Sequence, residues 1–339
     1  MTLPQTRDFV WRDAGRTVVF RAGALDAAPG LLADHGFDSF ELLSTQRALG
    51  DAPDLAAAAA GAVHEVPPGA VPDIAAELLD RVSAERLVAL GGGRVIDTAK
   101  AIAAVSGAAV AAIPTTLSGA EMTGVHRLPA GAEQRARGLV RPDLVLADPG
   151  PMTSAPEQPL RASAMNALAH GADSLYTPFA NPMSELAALR GAGLIAAALD
   201  ADRDSREHSQ LALGSILCGY AFDSGLFAIH HVICQTLVRI LEIPHAETNA
   251  AILPRAMEAM RERAPRQIAA LAEAIGTDAS SIGERIAELA GEQRGLGELG
   301  ADRERLDEAL DGIEARPELG FTPDPPGRAE IQGIIDSAW

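Results

Sequence analysis

Four histidines in the second half of the chain, His170, His230, His231 and His245, lie in or beside apolar, helix-patterned stretches. An imidazole there is either a satisfied core residue, a proton carrier or a metal ligand. Asn166 stands four residues before His170 and Gln235 four after His231, so on helices each pair shares one face. His245 follows Pro244 where a helix ends and the chain turns. The spacing predicts an inward cluster of His170, His231 and His245 with His230 at its margin, suited to binding a metal ion or moving a proton during hydride transfer.

A second stretch that carries chemistry is Gly91-Gly92-Gly93, placed between the apolar run Arg86–Leu90 and the helical pattern Ile96–Val105. Glycines at a strand–helix junction let backbone amides approach a ligand, and the helix N-terminus adds unpaired N–H groups and a positive dipole end, a natural seat for pyrophosphate. The spacing through Arg94 and Asp97 departs from the ordinary dinucleotide fingerprint, and the plainer reading is a flexible helix start. The next run, Ala109–Ile113, leads into Pro114-Thr115-Thr116-Leu117-Ser118-Gly119. Its three hydroxyls stand where strand C-termini of a parallel sheet gather around ligands, or else cap a helix. Arg94 either adds a cation beside pyrophosphate or is an exposed residue of the first turn.

The elements that position these groups fall into two parts. Strand Thr17–Phe20, a helix to His35, strand Phe40–Leu43 and a helix over Asp54–Ala62 have βαβ rhythm, and Leu144–Ala147 is a last strand before Asp148-Pro149-Gly150-Pro151. Beyond it the pattern is helical at about 158–176, 183–199, 206–220, 223–241, 250–261, 265–275 and 279–291, followed by a polar connection near 294–306. Residues 1–155 are expected to form an α/β domain and 156–339 an all-α domain.

Composition narrows the function. The 339 residues are 47% hydrophobic but only 4% aromatic, with Ala-rich stretches such as Ala56–Ala60, which favours packed helices over an all-β sandwich. A net charge of −18 repels phosphate backbones and anionic lipid, so neither nucleic acid nor membrane is an expected partner. Two cysteines, Cys218 and Cys234, make no disulfide framework and fit a reducing compartment. With no signal-like start and no run of about 18–20 apolar residues, the expected location is the cytoplasm.

Several motifs, taken in order, resemble the iron-containing (group III) alcohol dehydrogenase superfamily, whose fold is dehydroquinate synthase-like, and within it the maleylacetate reductase branch. They are Val18-Val19-Phe20-Arg21-Ala22-Gly23, Leu43-Ser44-Thr45, the triple glycine with Asp97 and Lys100, Pro114-Thr115-Thr116 and Ser118-Gly119-Ala120-Glu121-Met122-Thr123. The most specific are Met165-Asn166-Ala167-Leu168-Ala169-His170, His230-His231-Val232-Ile233-Cys234 and Pro244-His245-Ala246-Glu247-Thr248. The likeness spans nearly the whole chain and is weakest over 126–140 and after 290.

The resemblance implies an N-terminal Rossmann-like domain that binds NAD or NADP through Ser44, Gly91, Gly92, Gly93, Arg94, Asp97, Thr115, Thr116 and Ser118. It also implies an all-helical catalytic domain, an active site in the cleft between the two, and commonly a homodimer. Metal-dependent members hold iron or zinc through an Asp and three His, at positions matched here by Asn166, His170, His231 and His245. The amide of Asn166 removes the charge partner of a divalent ion, so metal is disfavoured; if one binds, His170, His231 and His245 are its ligands. Two further departures are Gln235, where a His near the nicotinamide is usual, and Asn249, where the reductase branch has His. Arg47 after Ser44-Thr45-Gln46 leaves both NAD and NADP open.

The expectation is a metal-independent, NAD(P)-dependent oxidoreductase, maleylacetate reductase-like, acting on a small keto or hydroxy acid. His231 and His245 polarise the reacting oxygen and relay its proton, with His170 or His230 holding the imidazole in place. One alternative is a biosynthetic tailoring dehydrogenase with a peptide substrate and a biosynthetic partner protein, as in daptide-type peptide maturation, where a C-terminal threonine is oxidised and decarboxylated. Another is a non-catalytic scaffold that still binds dinucleotide.

Overall fold

The computed structural model describes residues 9–13, 15–59 and 62–339. The chain divides into two compact units, one ending at Ser154 and the other running from Ala155 to Trp339.

The first unit is built on a seven-stranded sheet: β1 (Phe9–Asp13), β2 (Arg16–Phe20), β3 (Glu41–Ser44), β4 (Val63–Glu65), β5 (Arg86–Gly91), β6 (Ala109–Pro114) and β7 (Leu144–Ala147), in the order β1-β2-β7-β6-β5-β3-β4. Only β1 runs antiparallel, against β2; the other pairings are parallel. The inner strands are unbroken apolar runs because both faces are covered. Leu43, Leu87, Ala89, Val110 and Ala112 face one core, packed on α4 (Val71–Leu79) and α5 (Gly93–Ser106). Their neighbours Leu42, Val88, Leu90, Ala111 and Ile113 face the other, with α1 (Ala28–Asp34), α2 (Gln46–Gly50) and α3 (Pro53–Ala58). Helix α5 ends at Gly107, whose left-handed φ of 83° lets its N–H close on Ala103 O. A short α6 (Pro149–Met152) completes the unit.

The second unit is helical: α7 (Glu157–Ser174), α8 (Pro182–Asp200), α9 (His208–Gly225), α10 (Ile229–Leu241), α11 (His245–Met260), α12 (Pro265–Ala274), α13 (Ile282–Ala290), α14 (Leu306–Glu314) and α15 (Arg328–Asp336). Its small residues let backbones meet. A Cβ on Gly191 of α8 would lie 2.8 Å from Gly214 O and 2.7 Å from Cys218 Sγ on α9. Among the described residues no single helix is long and apolar enough to cross a membrane; α9 and α10 pass together but bend by 99° at their junction.

That bend corrects the expected helix over 223–241. The apolar pattern continues through it, but Leu226 takes a positive φ of 57° and Ala228 leaves the helical region, so the chain stops at Gly225 and restarts at Ile229. The helix expected from residue 250 begins at His245, because Pro244 is extended and serves as its N-cap. The residues do not announce β1, β4, α2, α4, α6, α14 or α15. The helix expected over 54–62 ends at Ala58; Ala60 and Gly61 lie outside the described residues.

Candidate active site

In the first unit the sheet register builds a cradle. Gly91 at the end of β5 pairs with Pro114 at the end of β6, and Thr115 N–H donates to Gly91 O at 3.0 Å, so the loops after both strands emerge side by side. A Cβ on Gly92 would lie 3.1 Å from Thr116 Cγ2, and one on Gly93 3.1 Å from Ser118 Cβ. The glycines thus leave a trough between the start of α5 and the hydroxyls of Thr116 and Ser118. Among the described residues no side chain caps α5, and Thr116 Oγ1 is buried without a partner. Uncapped amides beside an orphaned hydroxyl fit a phosphate-bearing cofactor.

Neighbouring residues support this trough more than they line it. Lys100, fully buried, donates to Asp97 Oδ1 at 2.8 Å and to the carbonyls of Ala120 and Val125 at 3.0 Å, tying the loop after β6 to α5. Ser44 is correspondingly inward: its hydroxyl donates to Leu90 O at 2.8 Å, bridging β3 to β5 rather than facing the trough. Arg94 is exposed in the first turn of α5. Glu121, on the tied loop, is fully buried, and among the described residues no other side chain or backbone group hydrogen-bonds its carboxylate oxygens. Burial lifts its pKa to about 7, with Lys100 and Arg16 pulling down and Asp97 pushing up.

In the second unit the sequence-identified groups converge around a residue that the sequence reading passed over. Asn166, His170 and Asp173 share the inner side of α7, and all are buried. Asp173 Oδ2 accepts from the backbone N–H of Ala228 at 3.1 Å and of His231 at 3.0 Å, and from His231 Nδ1 at 2.9 Å. Tyr176 donates its hydroxyl to Oδ1. One carboxylate therefore caps α10, made available by the break after Gly225, and orients an imidazole. Burial alone would raise the Asp173 pKa, but the His231 hydrogen bond and the charges of His231 and His230 outweigh it and hold the group well below the usual carboxylate range. An ionised Asp173 only accepts, so His231 Nδ1 carries the proton and Nε2 is the acceptor nitrogen, buried and without a partner among the described residues.

The remaining imidazoles rank differently from expectation. His170 stacks on His231 with ring centroids 4.9 Å apart and 15° between planes, and Phe222 meets both rings edge-on. Burial drives His170 well below its ordinary pKa, and the charges of His231, His245 and His230 act in the same direction. His230 is not marginal: it is fully buried, its ring meets that of His231 edge-on at 4.9 Å, and its Nε2 lies 2.8 Å from Asn249 Oδ1, with a pKa pushed down to about 3, chiefly by burial. His245 is the marginal one, exposed at the first position of α11 because Pro244 starts the helix there. Neither His170 nor His230 holds His231 by hydrogen bonding; Asp173 does. Its place was readable in the sequence, three residues after His170 and seven after Asn166 on one helix face.

Gln235, one turn beyond His231, accepts at Oε1 from Arg316 Nη2 at 3.2 Å. Among the described residues no three His, Cys, Asp or Glu side chains are grouped to hold a metal ion. The Nδ1 bond to Asp173 leaves His231 Nε2 available, but Asn166 contributes only a neutral amide and no carboxylate faces that nitrogen, so these residues lack the charge that a divalent ion requires and do not fit one.

Comparison with known proteins agrees across the chain's length. Residues 15–149 match the family model for iron-containing alcohol dehydrogenase, and 161–339 match that for the C-terminal part of the Fe-containing alcohol dehydrogenase family. The chain is 32% identical to a maleylacetate reductase of Burkholderia cepacia over 95% of both chains. It is 30% identical to one from Rhizobium sp. (strain MTP-10005), over 98% of this chain and 97% of that one. The crystal structure of maleylacetate reductase from Agrobacterium tumefaciens superposes with a TM-score of 0.84 at 28% identity, covering 98% of this chain and 99% of that one. Sulfoacetaldehyde reductase from Bifidobacterium kashiwanohense, solved with NAD+, shares the fold at TM-score 0.80 and 20% identity, over 97% and 99% of the two chains.

Proposed function

The chain belongs to the iron-containing alcohol dehydrogenase family and is an alcohol dehydrogenase-like oxidoreductase, and from that premise we propose that it exchanges hydride between NAD(P) and a carbonyl or alcohol of a small keto or hydroxy acid without a metal ion. The observation that carries this is His231, held at Nδ1 by an ionised carboxylate and presenting a buried, unpartnered Nε2.

The amides of Gly92, Gly93 and the first turn of α5 receive the pyrophosphate, and Thr115, Thr116 and Ser118 supply hydroxyl contacts. Bound NAD(P) supplies or takes the hydride. His231 moves the proton at Nε2: protonated, it donates to the carbonyl oxygen and stabilises developing alkoxide charge, and in the reverse direction it accepts the alcohol proton. Asp173 favours the imidazolium that forms and keeps the ring from rotating. Tyr176 and the α10 amides satisfy the remaining lone pairs of Asp173, so that the carboxylate stays charged. His245 stands at the exposed rim and His170 packs against the His231 ring.

The test combines metal analysis of the purified protein with NADH and NADPH titrations followed by fluorescence. Tight nicotinamide binding without stoichiometric metal is the expected result. Stoichiometric iron or zinc that is needed for turnover would overturn the metal-free route.

A further inference from the structure

We propose that Arg316, anchored by Gln235 and Glu318, binds a carboxylate of the substrate and so selects keto or hydroxy acids over neutral carbonyl compounds; this deepens the oxidoreductase reading and rests on it. Gln235 follows His231 by one turn of α10, so both side chains belong to the same face. The Arg316 guanidinium reaches that face by three contacts. Nη2 donates to Gln235 Oε1 at 3.2 Å, Nε donates to Glu318 Oε2 at 2.9 Å, and Cζ lies 5.9 Å from the centre of the Phe227 ring.

Phe227 in turn stacks on Phe222, with centroids 5.3 Å apart, and lies 6.0 Å from the His231 ring. The guanidinium is therefore fixed on the aromatic wall that encloses the proposed proton carrier.

The chemistry of these anchors leaves room for a ligand. Arg316 has five N–H donors, of which Glu318 and Gln235 engage the Nε and Nη2 groups, while Nη1 has no protein partner among the described residues. Gln235 holds the fork without adding charge. Glu318 neutralises the cation at rest and competes with an incoming carboxylate only at the Nε side. A guanidinium fixed on both sides loses little freedom when it binds a planar anion, which is the condition for strong carboxylate recognition. In a chain of net charge −18, a guanidinium held one aromatic ring away from His231 offers an anionic substrate a local cation.

Levulinate and its methyl ester separate this role from a purely structural one, because both carry the ketone and only one carries the carboxylate. Calorimetric titrations would use the full-length protein with saturating NADH, as wild type, Arg316→Ala, Arg316→Lys and Glu318→Gln. The wild type is expected to bind levulinate and to bind the ester at least tenfold more weakly. Arg316→Ala should lose about tenfold or more in levulinate affinity, Arg316→Lys less, and Glu318→Gln should bind it more tightly, although it too loses the 2.9 Å ion pair. Equal binding of acid and ester, no binding of levulinate by the wild type, or an Arg316→Ala protein that binds like wild type would each overturn the proposal. A Glu318→Gln protein that is destabilised with unchanged levulinate affinity would do the same, marking the pair as structural. NADH fluorescence on the same samples reports on the underlying reading: failure to bind NADH sinks the oxidoreductase mechanism, whereas normal NADH binding with Arg316-independent levulinate binding sinks only this assignment.

Discussion

The trough at the start of α5 is made by leaving side chains out. Gly92 and Gly93 keep Cβ atoms away from Thr116 and Ser118, and the groups offered are backbone amides at an uncapped helix start. The cluster on α7 and α10 is made by side chains that engage one another around Asp173 and leave the ring nitrogens His231 Nε2 and His170 Nδ1 open. The first arrangement tolerates changes in residue identity as long as volume stays small. The second depends on identity at every position, because a missing partner strands a buried charge. Cofactor binding and proton transfer should therefore respond to different mutations.

The sharpest break between the two is His231→Ala. Turnover should fall by about a thousandfold, within the range for a lost general acid or base, while NADH affinity stays within about twofold. Equal losses in both would erase the distinction.

Glu121→Gln asks whether the loop that supports the trough holds a side chain on which stability depends. A carboxyl whose folded pKa is raised from 4.5 to about 7 favours folding below 4.5, and that contribution is lost as the pH rises toward 7. The amide should remove this dependence and stabilise the protein at pH 8 by roughly 3 kcal/mol relative to wild type, read from urea unfolding at pH 4.5 and 8. No change in the pH dependence would mean that Glu121 ionises freely.

Gly92→Val mirrors the His231 experiment. Its side chain enters the space beside Thr116, so NADH Kd should rise by about tenfold to a hundredfold while kcat at saturating cofactor changes little.

The smallest effect concerns the frame of the second unit. Glu157 in the first turn of α7 accepts two 2.8 Å bonds from Arg206 and one of 2.6 Å from Arg161, and the first of these partners chiefly holds its pKa at about 2. This stabilisation is present above 4.5 and disappears as the pH falls toward 2. Because Glu157 is a third exposed, Glu157→Gln should lower Tm at pH 7 by only about 2 °C and by nothing measurable at pH 2.

Legibility in the sequence follows the same division. Strands β5, β6 and β7, helix α5 and the glycine turn are local patterns, and the structure has them where the residues point. The ends of α9 and α10 are not local: Leu226 and Ala228 are apolar and continue the periodicity, and only a carboxylate 55 residues upstream explains why the helix restarts. Asp173 was legible as a face-sharing position on α7 but not as the partner of His231, which needs the packing of two helices. Arg316 lies 81 residues from Gln235 and carries no sequence signal at all.

The double duty of Asp173 has a consequence for how such a chain changes over generations. A substitution there uncaps α10 as well as releasing His231, so purifying selection for a folded protein alone would keep the imidazole supported through periods when catalysis is not under selection. Gln235 is half-buried and outside that network. Substrate range can therefore drift at its position while the proton-handling apparatus is inherited intact.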